Sequence, residues 1–191
     1  EELNLVGRAL NSQDVAIRFA PKLNALSRLE TGLRPIDIFL ETDVKKAREL
    51  ISMVMNSNKQ RVDLQASAEK KAQEIVDFEG HSRFIWVWSD QFHRGVVGLV
   101  ATKLSQKYKV PAFVGSLDSE GKIVGSARAP EGVPLNALDL LEGAKDLLCK
   151  FGGHKAAAGF EVTLENALLL KARFEQVVSA VDEGELAIQF D

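Results

Sequence analysis

The residues from Phe151 to Phe160 read FGGHKAAAGF, setting adjacent glycines, a histidine, a lysine and three alanines between aromatic ends. Small residues let a partner's backbone come close, and adjacent glycines reach left-handed torsions that other residues avoid. One imidazole, His154, sits in that opening. The combination suits a site gripping a phosphate chain, and a packed core has no need of it. A structural alternative is a C-cap glycine at Gly152, following an apolar helix. That accounts for one glycine and leaves Gly153, His154 and the alanines over.

Three further segments could act on phosphate. Gln91 to Gly98, QFHRGVVG, follows an apolar strand-like run and opens a helical one. Free amides and the dipole at a helix start favour an anion there, and Gly95 and Gly98 keep the backbone open beside His93. The alternative is a plain helix cap with glycine packing on a sheet. Gly125-Ser126-Ala127-Arg128 ends another strand-like run. Arg128 offers a planar fork of donors and Ser126 a hydroxyl; the alternative is an exposed arginine. Asn24-Ala25-Leu26-Ser27-Arg28 follows Pro21, where Arg28 could reach a phosphate and Asn24 could pin a loop, against the reading of a surface arginine.

Some chemistries are excluded by what the chain lacks. The three histidines, His81, His93 and His154, are far apart, with no aspartate at metal-ligand spacing. There is no serine elbow and no P-loop. The single cysteine, Cys149, rules out an internal disulfide and a cysteine metal cluster. In the stretch LLCKF it reads as a buried thiol and fits a reducing compartment. Hydrophobic residues make up 46% and charged residues 27%, with net charge −3, an ordinary globular balance. No apolar run approaches a membrane span of about 20 residues, and the acidic opening EELNLVGRAL does not resemble a secretory leader. Charge is unevenly spread: His93–Arg128 carries +4, and Glu161 to the end carries −5. A local positive face can bind phosphate despite a negative total.

The elements that must position these residues follow from pattern. Residues 1 to about 40 read as irregular, with a helix near Glu2–Asn11 and with Pro21 breaking any longer one. Asp43–Phe78 lacks glycine and proline and reads as a long connecting helix, with a break at Asn56–Asn58 as the alternative. A hinge-like turn at Glu79–Ser82 follows. Strands are expected at Phe84–Trp88, Ala112–Leu117, Lys122–Ala127, Ala157–Val162 and Glu185–Phe190. Helices are expected at Gly95–Tyr108, Leu135–Lys150 (capped by Asn136) and Leu164–Val181. The class is α/β: a mixed, mostly parallel sheet flanked by helices, preceded by the long helix. Both ends read as cut, with about 110 residues of complete domain at the C-terminal end.

With the four segments in this order, the chain resembles the RecJ family of single-strand-specific DNA exonucleases in the DHH phosphoesterase superfamily. FGGHKAAAGF resembles the glycine-glycine-histidine signature of the DHH-associated C-terminal domain. FHRGVVGLVATKL resembles the family's histidine-proline-glycine helix start, GSAR its serine-x-arginine strand end, and FAPKLNALSRL the segment before the connecting helix. The terminal motif alone also resembles nanoRNases and cyclic-dinucleotide phosphodiesterases. The resemblance implies the tail of a DHH catalytic domain at 1–42, a connecting helix at 43–79 and a substrate-binding domain at 80–191. It implies that Gly152, Gly153 and His154 hold the phosphate, with His154 supporting catalysis. Ser126 and Arg128 would bind the DNA backbone, His93 would support the pocket, and Arg28 with Asn24 would line the strand's path. It further implies a cytoplasmic DNA-repair and recombination nuclease, single-stranded DNA and a single-strand-binding protein as partners, and no membrane. Mn2+ or Mg2+ would sit on a DHH half lying before Glu1, with none on this chain's own residues. Departures are Ser27 for glycine, Arg94 for proline and Ala129 for serine. A non-catalytic nucleic-acid-binding or scaffold module is the competing expectation.

Overall fold

The computed structural model describes residues 7, 9, 11–80, 83–133 and 135–188, with side chains described as far as Val181. The chain divides into two compact units, 1–64 and 65–191, and the division falls inside one long helix.

The first unit is helical where irregular backbone was expected. A π-helical turn, Asp14–Phe19, runs directly into α1 (Ala20–Arg28). Pro21 lies in the first turn of α1 instead of ending a helix. There its missing N–H is no loss, and the widened π turn before it absorbs the disrupted hydrogen-bond ladder. Phe19 meets Phe39 of α2 (Pro35–Leu40) edge to face, centroids 6.0 Å apart. The helix expected at Glu2–Asn11 falls largely outside the described residues.

α3 runs from Val44 to Glu79, about 54 Å at ~1.5 Å per residue. The Asp43 carboxylate accepts from the amides of Lys45 and Lys46 at 2.8 and 3.0 Å, capping its start. No break occurs at Asn56–Asn58. The Ser57 hydroxyl donates to the Met53 carbonyl at 2.9 Å, and Asn58 accepts from Arg61 at 2.8 Å, so both are satisfied without leaving the helix. Gly80, at φ +77°, ends α3 in a left-handed turn; His81 and Ser82 of the expected hinge lie outside the described residues.

The second unit is built on five strands: β1 (Ile85–Ser89), β2 (Ala112–Leu117), β3 (Lys122–Arg128), β4 (Leu148–His154) and β5 (Ala157–Thr163). Their order is β1-β2-β3-β5-β4, with β1 and β4 at the edges. The sheet is mixed and flanked by helices as expected, but it is not mostly parallel. Only β1 and β2 run parallel, joined through α4 (Val97–Tyr108), and the other three pairings are antiparallel. The short links at Asp118–Gly121 and Lys155–Ala156 leave the β2–β3 and β4–β5 pairs no room for the crossover that parallel strands need.

α5 (Ala137–Glu142) and α6 (Leu164–Ile188) cover one face of the sheet. Beneath them Phe113, Phe160 and Phe174 pack together, with Phe113 to Phe174 at 4.6 Å and Trp86 to Phe160 at 5.4 Å. α4 packs its buried Val97, Val100, Ala101 and Leu104 on the other face, over β2 and β3. The last turns of α3 are fixed within this unit. Gln73 and Asp77 hydrogen-bond the Tyr108 hydroxyl, Lys107 reaches Gln73, and Glu79 pairs with Lys171 at 2.8 Å.

Three local expectations are corrected. The helix expected over Leu135–Lys150 stops at Glu142, though Asn136 does cap it, accepting from Leu138 and Asp139. A Cβ at Gly143 would lie 2.7 Å from Val177, and a short 3-10 turn, Lys145–Leu147, then leads into β4, whose pairing with β5 overrides local helix propensity. The strand expected at Glu185–Phe190 is helical to Ile188, as an extension of α6; the residues after Ile188 are outside the described set. Cys149 is exposed, not buried, because it falls at a register shift in edge strand β4.

Gly125 pairs with Phe160, and a Cβ there would lie 2.1 Å from the phenyl ring. The glycine is a seat for that ring. Gly125→Ala should therefore destabilise the protein by about 1–3 kcal/mol through overpacking, measured as a drop in urea midpoint at unchanged m-value.

Candidate functional site

The pairing of β3, β5 and β4 brings most of the sequence-selected residues onto one face. Arg128 lies opposite Ala157, which lies opposite His154. One step along, Ser126 lies opposite Gly159, which lies opposite Gly152. Directly paired residues point to the same side, with about 4.5–5.5 Å between neighbouring Cβ atoms. This is the face away from the aromatic core: Ile123, Ala127, Ala158, Phe160 and Val162 alternate to the other side and are buried. Because α4 covers only the β2–β3 portion, Gly152, His154 and Gly159 are exposed.

The start of α4 borders this open area. A Cβ on Gly98 would stand 3.2 Å from both Ser126 Oγ and Arg128 Nη2. Glycine at 98 thus lets both side chains lie against the first helical turn, which no side chain caps. Arg128 is half-buried, and its Nη1 donates to its neighbour's carbonyl at 2.8 Å. His93 occupies the turn leading into α4. Its Nδ1 accepts from the Gly95 amide at 3.0 Å, so the neutral ring carries its proton on Nε2 as an available donor. Buried Phe92 and the Ser116 hydroxyl, which donates to the Phe92 carbonyl, anchor that turn to β2.

The two adjacent glycines of the motif do different things. Gly153 points to the core side at φ +146°, where a Cβ would stand 2.4 Å from the Ala157 carbonyl oxygen. The hairpin itself requires it. Among the described residues, Gly152 has nothing within 4 Å of where its Cβ would be, so no contact there explains it, and the C-cap offered as the structural alternative at that position is replaced by a strand. Gly159 on the same face was missed as a site residue. Recognising Lys155-Ala156 as a two-residue turn would have paired it with Gly152.

Charge on this face is positive. Along β3, β4 and β5 it carries Lys122, Arg128 and Lys150 against the single carboxylate Glu161. A cleft of about 320 Å³ elsewhere in the unit, lined by Phe84, Ile85, Val87, Glu79 and Lys171, contains none of the residues selected from sequence. Asn24 and Arg28 belong to the first unit, one turn apart on α1, with Asn24 exposed and Arg28 half-buried. In that unit burial, and then the nearby Arg28 charge, push the Arg61 guanidinium below its ordinary pKa, so two guanidiniums lie close together there.

A family model for the DHHA1 domain matches residues 80–182. Curated relatives include the single-stranded-DNA-specific exonuclease RecJ of Bacillus subtilis, 33% identical over 90% of this chain, and that of Thermus thermophilus, 33% identical over 92%. The chain spans 22% and 24% of the length of those two relatives. Crystal structures of RecJ from Thermus thermophilus in complex with Mn2+ and with Mg2+ superpose with TM-scores of 0.80 and 0.79, at 30% and 29% identity. Each match covers 92% of this chain, and 26% or 27% of the solved one. The first unit, the long helix and the sheet all fall within that similarity.

The different demands on the two glycines are directly testable. Gly153→Ala should lower stability by roughly 1–3 kcal/mol through backbone strain, while Gly152→Ala should stay within about 0.5 kcal/mol of the parent. Thermal denaturation of both variants, followed by circular dichroism, checks this. Equal losses would remove the distinction between them.

Proposed function

The chain belongs to the DHHA1 domain family, and on that footing we propose that it is the substrate-binding part of a RecJ-like exonuclease, gripping the phosphate backbone of single-stranded DNA. The observation that carries this reading is the convergence of Ser126, Arg128, Gly152, His154 and Gly159 with the start of α4 on one open, positive sheet face. The Arg128 fork meets phosphate oxygens in a planar, charge-assisted geometry. Ser126 adds a hydroxyl donor, and the uncapped first turn of α4 favours negative charge. Gly152 and Gly159 let a sugar-phosphate chain lie against the sheet without meeting a side chain. His154, paired across from Ala157, stands at the end of the strip beside Arg128's row, where an imidazole can donate to a phosphate oxygen. His93, with Nε2 available, supports the same region from the turn before α4.

The face reads backbone and not bases. None of its residues on β3, β4 and β5 is Phe, Tyr or Trp, so it has no stacking platform of the kind that single-strand binders use for bases. Phosphate contacts fix position and carry no sequence information, which suits an enzyme that must accept any strand. Among the described residues, no group of three His, Cys, Asp or Glu side chains is placed to hold a metal. These residues therefore do not fit a metal centre, and the part proposed for them is to bind and orient. Arg28 and Asn24 on α1 are proposed as further contacts along the strand, in a unit read as the end of a DHH domain.

Binding to fluorescent oligothymidylate, titrated across a salt series, tests the reading. Arg128→Ala should weaken binding and reduce the magnitude of the log–log salt slope by about one, the share of a single phosphate contact. Gly98→Ala should weaken it too, by pressing on Ser126 and Arg128, with stability changed by less than about 1 kcal/mol. An unchanged slope for Arg128→Ala would place that residue outside the interface. A dinucleotide that competes as well as a long strand would favour a small-molecule phosphoesterase instead.

A further inference from the structure

We propose that Lys150 is a second backbone contact on the same face, engaged only by strands long enough to extend past the Arg128–His154 row. The inference rests on reading that face as the DNA-binding surface. Two residues beyond the Ser126–Gly159–Gly152 row, Val124 lies opposite Glu161, and Glu161 opposite Lys150. Lys150 therefore points to the same side as His154, four residues away on β4. At ~3.4 Å per residue that separation is about 14 Å. Between the two lies Gly152, with open space above it. The strip of small residues thus runs between Arg128 and His154 at one end and the exposed Lys150 ammonium at the other.

The ion pair at Lys150 orients it along the sheet. Its ammonium sits 3.8 Å from one oxygen of Glu161, whose other oxygen is 3.8 Å from Lys122. The Glu161 side chain is only 19% exposed while that of Lys150 is 81% exposed. Lys122 is also paired with Glu120 at 3.4 Å, so the sheltered Glu161 carboxylate is shared between two ammonium groups. Lys150, with no other ion pair among the described residues, is the cation of that row that reaches solvent. Exposed pairs of this kind add little to stability, so the arrangement serves charge placement better than it serves the fold. Lysine binds phosphate as a point charge without a fixed approach geometry, which suits a distal and variable contact. A stacked strand presents one phosphate per ~3.4 Å, so ~14 Å corresponds to about four phosphates, and fewer when the strand is stretched. The consequence is length discrimination: a short piece is held at one end of the strip, and a longer strand at both.

The test compares oligothymidylates of two and six nucleotides at low salt, the dinucleotide measured as a competitor, on the parent chain and on Lys150→Ala, Lys150→Arg and Arg128→Ala. Lys150→Ala should lower hexanucleotide affinity about two- to five-fold, the range of an exposed ionic contact, and leave the dinucleotide unchanged. Lys150→Arg should behave as the parent. Arg128→Ala should weaken both lengths. If Lys150→Ala leaves the hexanucleotide unaffected while Arg128→Ala still weakens both, the Lys150 contact is overturned and the reading of the face stands. If Arg128→Ala is also without effect, that reading falls with it. Equal losses for both lengths in Lys150→Ala overturn the proposal as well, since they mark a disturbed edge strand and not a distal contact.

Discussion

Side chains alternate across a β-strand, so a slip of one residue between β3 and β5 would carry Phe160 out of the core and put Gly159 into it. The second unit is organised around preventing that slip. Phe160 is locked over Gly125, where any Cβ would strike its ring, and it packs against Trp86 and Phe113. Burying an aromatic ring contributes several times what an exposed ion pair can, so the register is set from the dry side of the sheet. The open side inherits its arrangement. Arg128 faces His154, and Ser126 faces Gly152, because Phe160 has nowhere else to go.

The same logic assigns the glycines. Gly125 is required by a ring, Gly153 by the backbone of the hairpin, and Gly98 by the room that Ser126 and Arg128 occupy. Among the described residues, Gly152 answers to no neighbour. A glycine in a strand costs conformational entropy and contributes no packing, so one that no neighbour requires marks a place where something from outside comes close. The helix α4 adds the other half of the arrangement. Its buried stripe holds it on β2 and β3, its N-terminal end borders the strip, and its C-terminal Lys107 and Tyr108 are tied to the last turns of α3. One short helix therefore connects the end of α3 to the open face of the sheet.

Much of this was readable from residue types and spacing. The long helix, β2, β3, β5 and α4 fell where period and composition placed them, and Ser126, Arg128, Gly152 and His154 were selected and do share a face. Much of what failed was decided by pairing, which no local pattern encodes. Leu148–His154 follows a helical run and becomes a strand only because β5 offers it an edge. The balance of parallel and antiparallel pairing depends on whether a turn of two residues is recognised at Lys155-Ala156. Gly159 and Lys150 were missed for the same reason, since their place on the face is visible only once β4 and β5 are in register. Pro21 misled because its breaking effect was absorbed by a π turn immediately before it.

An open strip, and not an enclosed pocket, is what a polymer substrate requires. A pocket that buries a small ligand gains its selectivity by surrounding it, and a cleft in this unit sets Val76, Phe84 and Ile85 beside the charged Glu79, Lys171 and Glu175. The strip offers the opposite: small residues, donors at one end, an exposed lysine at the other, and no aromatic surface for a base. Such a surface can hold a chain at successive phosphates without asking which bases it carries. It also gains affinity by extension, because each further phosphate that reaches a cation releases counterions. On the proposed reading, binding strength would grow with the length of strand laid along the sheet. On that reading, a surface with that property would keep long strands and let short ones go.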